Sequence, residues 1–471
     1  MARLLFHIWA RNEIMKRIIA ISALCALMAM PLSAQETASP EAVPEGKAMT
    51  LRECMEYAVT HSADVRTRQS ANDDARLERR DAILKAFTPV IEGNSYGYYR
   101  WGRSIDPETN TYVTTTSFNQ GFSVSAGLTL FDGFSAINNM KIARTSMAMG
   151  KSMEQMEKDK VCLATMEAYF NVIYYSRLAA ILSGQVENAE TAVELAVRQE
   201  ELGVKGHADV VQIQAELADR EYELTAAVNA RENALTTLED VMFWPSDWKL
   251  AVDTDLDALH GGDTPQNATS DLIGNAQRTL PSVLVAKYAM ENSLAAIRAA
   301  RGQFLPSLSL YGGWSTSYYT YPGQAGYTPI PYWNQFSNNG GEYVQLSLNI
   351  PIYDRLGRHS VLARKRNEYA RAVISYDKSL KDVETEVRRA VQDRDGAEAA
   401  LAQARKREEV YEEAFRLDVR RFGQGLISAI EYNMSSGNYL KAKADRLNAE
   451  LQFLLKKRVV AYYGGIPYME Q

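Results

Sequence analysis

The stretch Phe122-Ser-Val-Ser-Ala-Gly-Leu-Thr-Leu-Phe-Asp-Gly133 decides the fold. Phe122, Val124, Ala126, Leu128 and Leu130 alternate with Ser123, Ser125, Gly127 and Thr129, giving an extended chain one apolar and one small polar face. About nine such residues suffice for a tilted β-strand to cross a bilayer. A strand half-buried in a soluble sandwich alternates in the same way, so one stretch leaves both readings open.

The same ending returns later. Leu128-Thr-Leu-Phe-Asp132-Gly133 resembles Ile350-Pro-Ile-Tyr-Asp354-Arg355, and one offset of 222 residues relates the two. That offset also carries Gly203 onto Gly425 and Asp209 onto Glu431. Upstream, Phe87-Thr-Pro89 resembles Phe304-Leu-Pro306, and residues 58–65 resemble 276–283. The chain is therefore two copies of one unit. In the second copy Val344, Leu346, Leu348, Ile350 and Ile352 alternate with Gln345, Ser347 and Asn349, and Leu308, Leu310 and Trp314 alternate with Ser307, Ser309 and Gly313. Repetition favours the barrel, because only a closed sheet avoids bare edges in lipid. Tyr98-Tyr99-Arg100-Trp101, Tyr318-Tyr319-Thr320-Tyr321 and Trp333 supply the aromatic residues that an interfacial girdle requires.

Long helices follow from missing prolines. None occurs between Pro107 and Pro245 or between Pro351 and Pro467, and both intervals are rich in Ala, Leu, Glu, Lys, Arg and Gln. A helix over 135–199 extends about 100 Å at 1.5 Å per residue, so it must pack lengthwise as a coiled coil. Gly203 with Gly206, and Gly423 with Gly425, are placed to reverse the chain into antiparallel hairpins. Thr50 and Glu53 have capping-box spacing before the first helix. Each copy thus reads helix, strand, loop, strand, very long helix, turn, helix.

Composition fits this architecture. The chain has 471 residues, 46% hydrophobic and 23% charged, with a formal charge of -6. That balance offers no basic face for nucleic acid. A mean hydropathy of -0.29 disfavours a bundle of transmembrane helices but suits a short barrel diluted by long charged helices. Lys16 and Arg17, the apolar run over 18–30 and Pro31-Leu-Ser-Ala34 read as a secretory leader, starting at Met1 or Met15. Cleavage after Ala34 removes four cations and Glu13, which takes the formal charge to -9. Cys54 and Cys162 remain, too few for a disulfide scaffold; they are either small buried apolar residues or one bridge.

These readings divide the chain into a leader (1–34), an N-terminal linker (35–48), a first repeat (49–250), a connector (251–269), a second repeat (270–466) and a tail (467–471). Strands are expected at about 88–100, 118–131, 305–318 and 342–353, and hairpin turns near 203–206 and 423–426. No catalytic, cofactor or metal site is read. The five histidines form no His-x-x-x-His pair, and no phosphate-cradling Gly-Lys-Ser/Thr loop is present. His207 lies in the first turn as a polar tip residue.

Over nearly all of the mature chain, this layout resembles the TolC family of outer-membrane efflux proteins. The resemblance rests on the two copies, Leu-Phe-Asp-Gly at 130–133, Ile-Pro-Ile-Tyr-Asp at 350–354, and the glycine-to-acid turns at 203–209 and 425–431. Residues 102–107, Gly-Arg-Ser-Ile-Asp-Pro, also resemble a loop of one branch of the family. Membership implies a mainly α protein with a transmembrane β-barrel. Three protomers would each give four strands to one twelve-stranded barrel, and the helical hairpins would form a periplasmic tunnel. Geometry agrees, since four strands cannot close a barrel and three sets of four can. The implied partners are a periplasmic adaptor, an inner-membrane pump and outer-membrane lipid.

The resemblance also implies that the hairpin turns form a periplasmic tip where the adaptor docks and the channel closes. The matching docking positions are Leu202, Gly203, Val204, Gly425, Leu426 and Ser428, and the matching gate acids are Asp209 and Glu431. Rings of three carboxylates would favour cations, whereas an acid in the first turn of a helix also simply complements its dipole. The best-known members carry an Arg two residues after the second glycine and an Asp three beyond the matching acid; this chain has Ile427 and Met434. Arg420 and Arg421 are the nearby cations expected to pair with Asp209. The competing readings are a periplasmic adaptor, with one hairpin and no lipid-facing strands, and a non-channel coiled-coil structural or adhesive protein.

Overall fold

The computed structural model describes residues 48–105, 110–256, 268–324 and 326–471. The leader at 1–34, the linker up to Lys47, residues 106–107 of the Gly-Arg-Ser-Ile-Asp-Pro loop and residues 257–267 of the connector lie outside the described residues.

Each copy opens with two helices where the sequence suggested one. Helix α1 (Leu51–His61) gives way at Ser62 to α2 (Ala63–Phe87), and α5 (Thr269–Thr279) gives way at Leu280 to α6 (Pro281–Gly302). Ser62 and Leu280 are equivalent positions of the repeat, and both leave helical ψ, at 126° and 133°. Pro281 forces this break in the second copy by disfavouring helical backbone at the residue before it. In the first copy Ser62 makes it by capping Val65 N–H (3.4 Å). Thr50 and Glu53 close the reciprocal capping box at the start of α1, with Thr50 N–H donating to Glu53 Oε2 at 2.8 Å.

Four strands form one antiparallel sheet in the order β1-β2-β3-β4: β1 (Val90–Ile105), β2 (Tyr112–Phe131), β3 (Ser307–Thr320) and β4 (Gly341–Asn349). The register puts Ile91, Ala126, Gly312 and Val344 in one row and Leu128, Leu310 and Leu346 in another, so one face of the sheet is apolar. Glu92, Ser125, Gly313 and Tyr343 make a row of the polar face. On that face the rings of Tyr96, Tyr311 and Tyr343 lie across Gly121, Gly127 and Gly313 of neighbouring strands, covering backbone that has no side chain of its own.

The strand limits differ from expectation in a physically simple way. β1 continues through Tyr98–Trp101 to Ile105, so that aromatic cluster sits within the strand, whereas Tyr318 and Tyr319 close the end of β3 at Thr320. β4 stops at Asn349, short of the expected 353, because Pro351 has no N–H for the ladder. The connection from β3 to β4 holds a short helix, α7 (Tyr332–Asn338), where the sequence reading gave only a loop.

The long helices are α3 (Ser135–Glu201) and α8 (Gly357–Gly423), each 67 residues. They return as α4 (His207–Met242) and α9 (Ala429–Tyr463). Helix α6 packs on both α3 and α8, and α2 packs on α3. The repeated motif builds the junction from sheet to helix. Asp132 Oδ2 accepts from Ala136 N–H (2.7 Å), and Asp354 Oδ2 accepts from Arg358 N–H (2.8 Å) and Nε (2.9 Å). Each acid thus satisfies an orphan donor in the first turn of a 67-residue helix. At the first junction Gly133 adopts φ 68° and lies backbone to backbone against Gly302, where a Cβ has no room.

Side chains on α3 tie down the flanking segments. Tyr169 Oη donates to Asp253 O (2.6 Å), and Met49 pairs with Val252 in a parallel bridge, so the start of the first repeat and the connector meet there. Tyr468 of the tail stacks on Tyr462 (4.4 Å), whose hydroxyl donates to buried Asp159 (2.7 Å). Burial raises the Asp159 carboxyl above the usual range, partly offset by the Tyr462 and Gln155 hydrogen bonds. Cys54 and Cys162 are both free and buried, and burial pushes each thiol up to about 12. No described helix is long and apolar enough to cross a membrane.

Candidate functional site

The two hairpin turns and the helix ends beside them carry the docking and gate residues that the sequence singled out. Both close by the same backbone device. In the first, Gly203 N–H donates to Glu200 O and Val204 N–H to Gln199 O, each at 2.9 Å. In the second, Gly425 N–H donates to Phe422 O (3.0 Å) and Leu426 N–H to Arg421 O (2.9 Å). These are paired Schellman closures, and they require left-handed backbone after the helix, which Gly203 and Gly425 supply at φ 72°. The motif places an apolar residue just beyond each glycine. Here Val204 and Leu426 are 58% and 69% exposed and Leu202 is 71% exposed, so the tip offers an apolar surface.

The turns lie against each other over a shared core of Ala192, Ala196, Val210, Ile213, Phe415, Phe422, Ala429 and Tyr432. Val204 packs against Gly425, where an added Cβ would lie 3.1 Å from Val204 Cγ1. Gln199 Nε2 donates to Phe422 O and to Gly423 O, both at 3.2 Å. Lys205 Nζ donates to Ile427 O (2.9 Å) and stands 3.8 Å from the centroid of the Phe422 ring. Burial lowers the Lys205 pKa, and the nearby charge of Asp209 partly opposes that.

The acids differ in employment. Glu431 closes a capping box with Ser428: Ser428 N–H donates to Glu431 Oε2 (2.9 Å), and Glu431 N–H donates to Ser428 Oγ (3.3 Å). Asp209 is the equivalent residue of the first copy, but the cap there is Gly206, which has no side chain to share. Arg421 leans on Asp418 of its own helix at 3.5 Å, and Arg420 is exposed. Within the described residues of this protomer Arg421 pairs with its own helix, and the cation whose charge acts on Asp209 is Lys205. His207 meets Glu200 at 2.9 Å on the exposed side of the first turn.

Sequence reasoning missed Lys205 and Gln199. A signal for Lys205 existed: it is the repeat equivalent of Ile427, 222 residues earlier, so the turn cation stands in the first copy. Higher on the hairpins, Arg220 holds Glu216 (2.5 Å) and Glu223 (2.6 Å) and lies beside Gly437 of α9, a second place where the two hairpins meet.

Comparison with known families decides the membership. The family model described as outer membrane efflux protein matches residues 60–242 and 272–458, one segment in each copy. The chain belongs to the outer membrane efflux protein family. Its place is the outer membrane, with the helical part in the periplasm. The outer membrane efflux protein BepC of Brucella suis biovar 1 (strain 1330) is 23% identical over 288 residues, 61% of this chain; the match spans only 57% of BepC. Among solved structures, CusC matches with a TM-score of 0.73 at 16% identity, covering 93% of this chain and 96% of CusC. VceC, an outer membrane protein of Vibrio cholerae, matches with a TM-score of 0.72 at 14% identity, covering 88% of this chain and 96% of VceC. These likenesses show the fold, a helical body with a four-stranded barrel segment, and the family match does not favour the adaptor or the coiled-coil structural reading.

Proposed function

We propose that this chain is the exit duct of a tripartite efflux or type I secretion system. In this reading three copies close one barrel in the outer membrane, and their hairpins continue as a tunnel through the periplasm. The observation that carries it is the sheet: four antiparallel strands, one apolar face, and two outer edges, on β1 and β4, that have no strand partner among the described residues. A bare edge in lipid leaves a row of unsatisfied backbone groups, each costing several kcal/mol. Four strands are too few to close on themselves, so the edges must meet those of other copies. The long helices then set the reach, about 100 Å for 67 residues, from barrel to tip.

Conduction is passive, and the duct performs no chemistry. An inner-membrane pump supplies the driving force through a periplasmic adaptor. The adaptor docks on the apolar tip formed by Leu202, Gly203, Val204, Gly425, Leu426 and Ser428. Asp209 and Glu431, with Arg420 and Arg421 nearby, form the charged rim that narrows the opening. Lys205 belongs in this set, since it ties the two turns of one protomer together.

Purified protein in detergent tests the reading directly. A particle of three chains that forms cation-favouring channels in a planar bilayer is the expected result. A soluble monomer that forms none would overturn it.

A further inference from the structure

β3 outruns its partner. The last β3–β4 pair is Ser315 with Gly341, yet β3 continues to Thr320. Gln335 of α7 and its C-cap Asn339 meet the backbone left over, and a β3 side chain reaches α7 in return. Tyr319 N–H donates to Gln335 Oε1 (3.0 Å), and Gln335 Nε2 donates back to Tyr319 O (2.8 Å). Asn339 Nδ2 donates to Ser317 O (2.7 Å), and Thr316 Oγ1 donates to Phe336 O (2.7 Å). Helix α7 thus stands where the top of β4 would be. Its rings fold onto the apolar face, with Phe336 5.6 Å from both Phe122 and Trp314, and Tyr332 4.8 Å from Tyr318.

The far edge of the sheet has the complementary problem. β1 has 16 residues and β4 has nine, so a β4 that pairs with β1 of the next copy leaves seven β1 residues without a strand. Lipid cannot satisfy those backbone groups. On the same upper half of β1, Tyr99 and Trp101 stack at 6.1 Å. Trp101 is 74% exposed, and both rings fall on the apolar face, because Tyr99 pairs with Phe118, which alternates onto the side of Phe122. Across the sheet, Trp333 of α7 is 73% exposed. Asn334 and Asn338, one helical turn apart, are exposed beside the Gln335 and Asn339 stripe that already caps β3.

We infer that α7 of one protomer packs against the upper half of β1 of the next, Trp333 covering Tyr99 and Trp101 while Asn334 and Asn338 meet the β1 edge. The clasp rests on the trimeric reading above. It completes the rim of the barrel where strand pairing runs out, and its occupant is a second copy of this chain and not lipid.

Cross-linking in detergent tests it. A Trp101→Cys, Trp333→Cys double variant, treated with a short bis-maleimide, is expected to run as covalent dimers and trimers. Each single variant should remain monomeric on denaturing gels, since Cys54 and Cys162 are buried. A sample that is trimeric by mass yet does not cross-link overturns the clasp and leaves the trimer standing. A sample that is monomeric by mass overturns the trimeric reading itself. Heat dissociation of the trimer supplies a second readout. Trp101→Ala and Trp333→Ala should each lower the dissociation temperature, and the double variant should lower it little further. Fully additive losses, or strong quenching of Trp333 by brominated acyl chains, would assign the ring to lipid and overturn the proposal.

Discussion

The two hairpin turns share a backbone and divide the side-chain work. Both end a 67-residue helix with a left-handed glycine and the same pair of hydrogen bonds. At equivalent positions, however, the first turn carries Lys205, Gly206 and Asp209 where the second carries Ile427, Ser428 and Glu431. The second turn is closed upon itself by its capping box. The first reaches outward, and Lys205 uses the Ile427 carbonyl and the Phe422 ring as its partners. Duplication therefore preserved what the backbone needs, and divergence turned one copy into the giver and the other into the receiver of contacts.

Phe422 gives the largest expected break in that asymmetry. It is buried in the shared core, stacks on Tyr432 at 4.7 Å and receives Lys205, whereas its repeat equivalent is Glu200. Phe422→Ala should destabilise the tip by about 3–5 kcal/mol, the usual range for a buried aromatic. Hydrogen exchange of amides in both turns would measure it, and protection lost in the second turn alone would show that the first does not depend on the second. Glu200→Ala should stay within about 0.5 kcal/mol. Next in size is Lys205→Met, which removes the hydrogen bond and the cation–π contact but keeps the aliphatic stem. A loss of about 1–2 kcal/mol is expected, together with a raised closed-state leak in a planar bilayer. An unchanged leak would move the link between hairpins to Gln199 or Arg220.

The elements were far more legible than the link. The proline-free interval and its helix-forming composition placed the first long helix over 135–199, and it ends at Glu201. The repeated aspartates marked the sheet-to-helix junctions because an orphan donor needs an acceptor wherever such a helix begins. Lys205 was marked only by its repeat offset from Ile427, and its partners were hidden for a different reason. A lysine in a glycine-flanked turn reads as solvated, and only the packing of the second hairpin gives it a ring and a carbonyl. Arg420 and Arg421 drew attention as a cationic pair, but a helix exposes such residues to solvent and to their own i±3 neighbours first. Helix α7 was hidden by a loop rich in Pro, Gly and aromatic residues, whose helical turn is held by tertiary contacts of Gln335 and not by propensity.

The smallest effects probe whether the capping difference matters. Ser428→Ala should cost the second hairpin about 1 kcal/mol, because an orphan N–H in the first turn of α9 loses its acceptor and Glu431 loses half of its box. The converse is to give the first turn what it lacks. Gly206 has extended backbone, φ -85° and ψ 159°, and open space around an added Cβ, so a serine fits without strain. Gly206→Ser with Asp209→Glu should install the same box and stabilise α4 by a few tenths of a kcal/mol, since glycine is itself a tolerable cap. If the first turn is kept uncapped so that Asp209 stays beside Lys205, the installed box draws that acid back onto the backbone. Lys205 then loses the charge that opposes its burial, and the variant should be slightly more stable to hydrogen exchange yet leakier in the bilayer. Stability and closure rising together would instead mean that Asp209 serves α4 as a dipole partner alone.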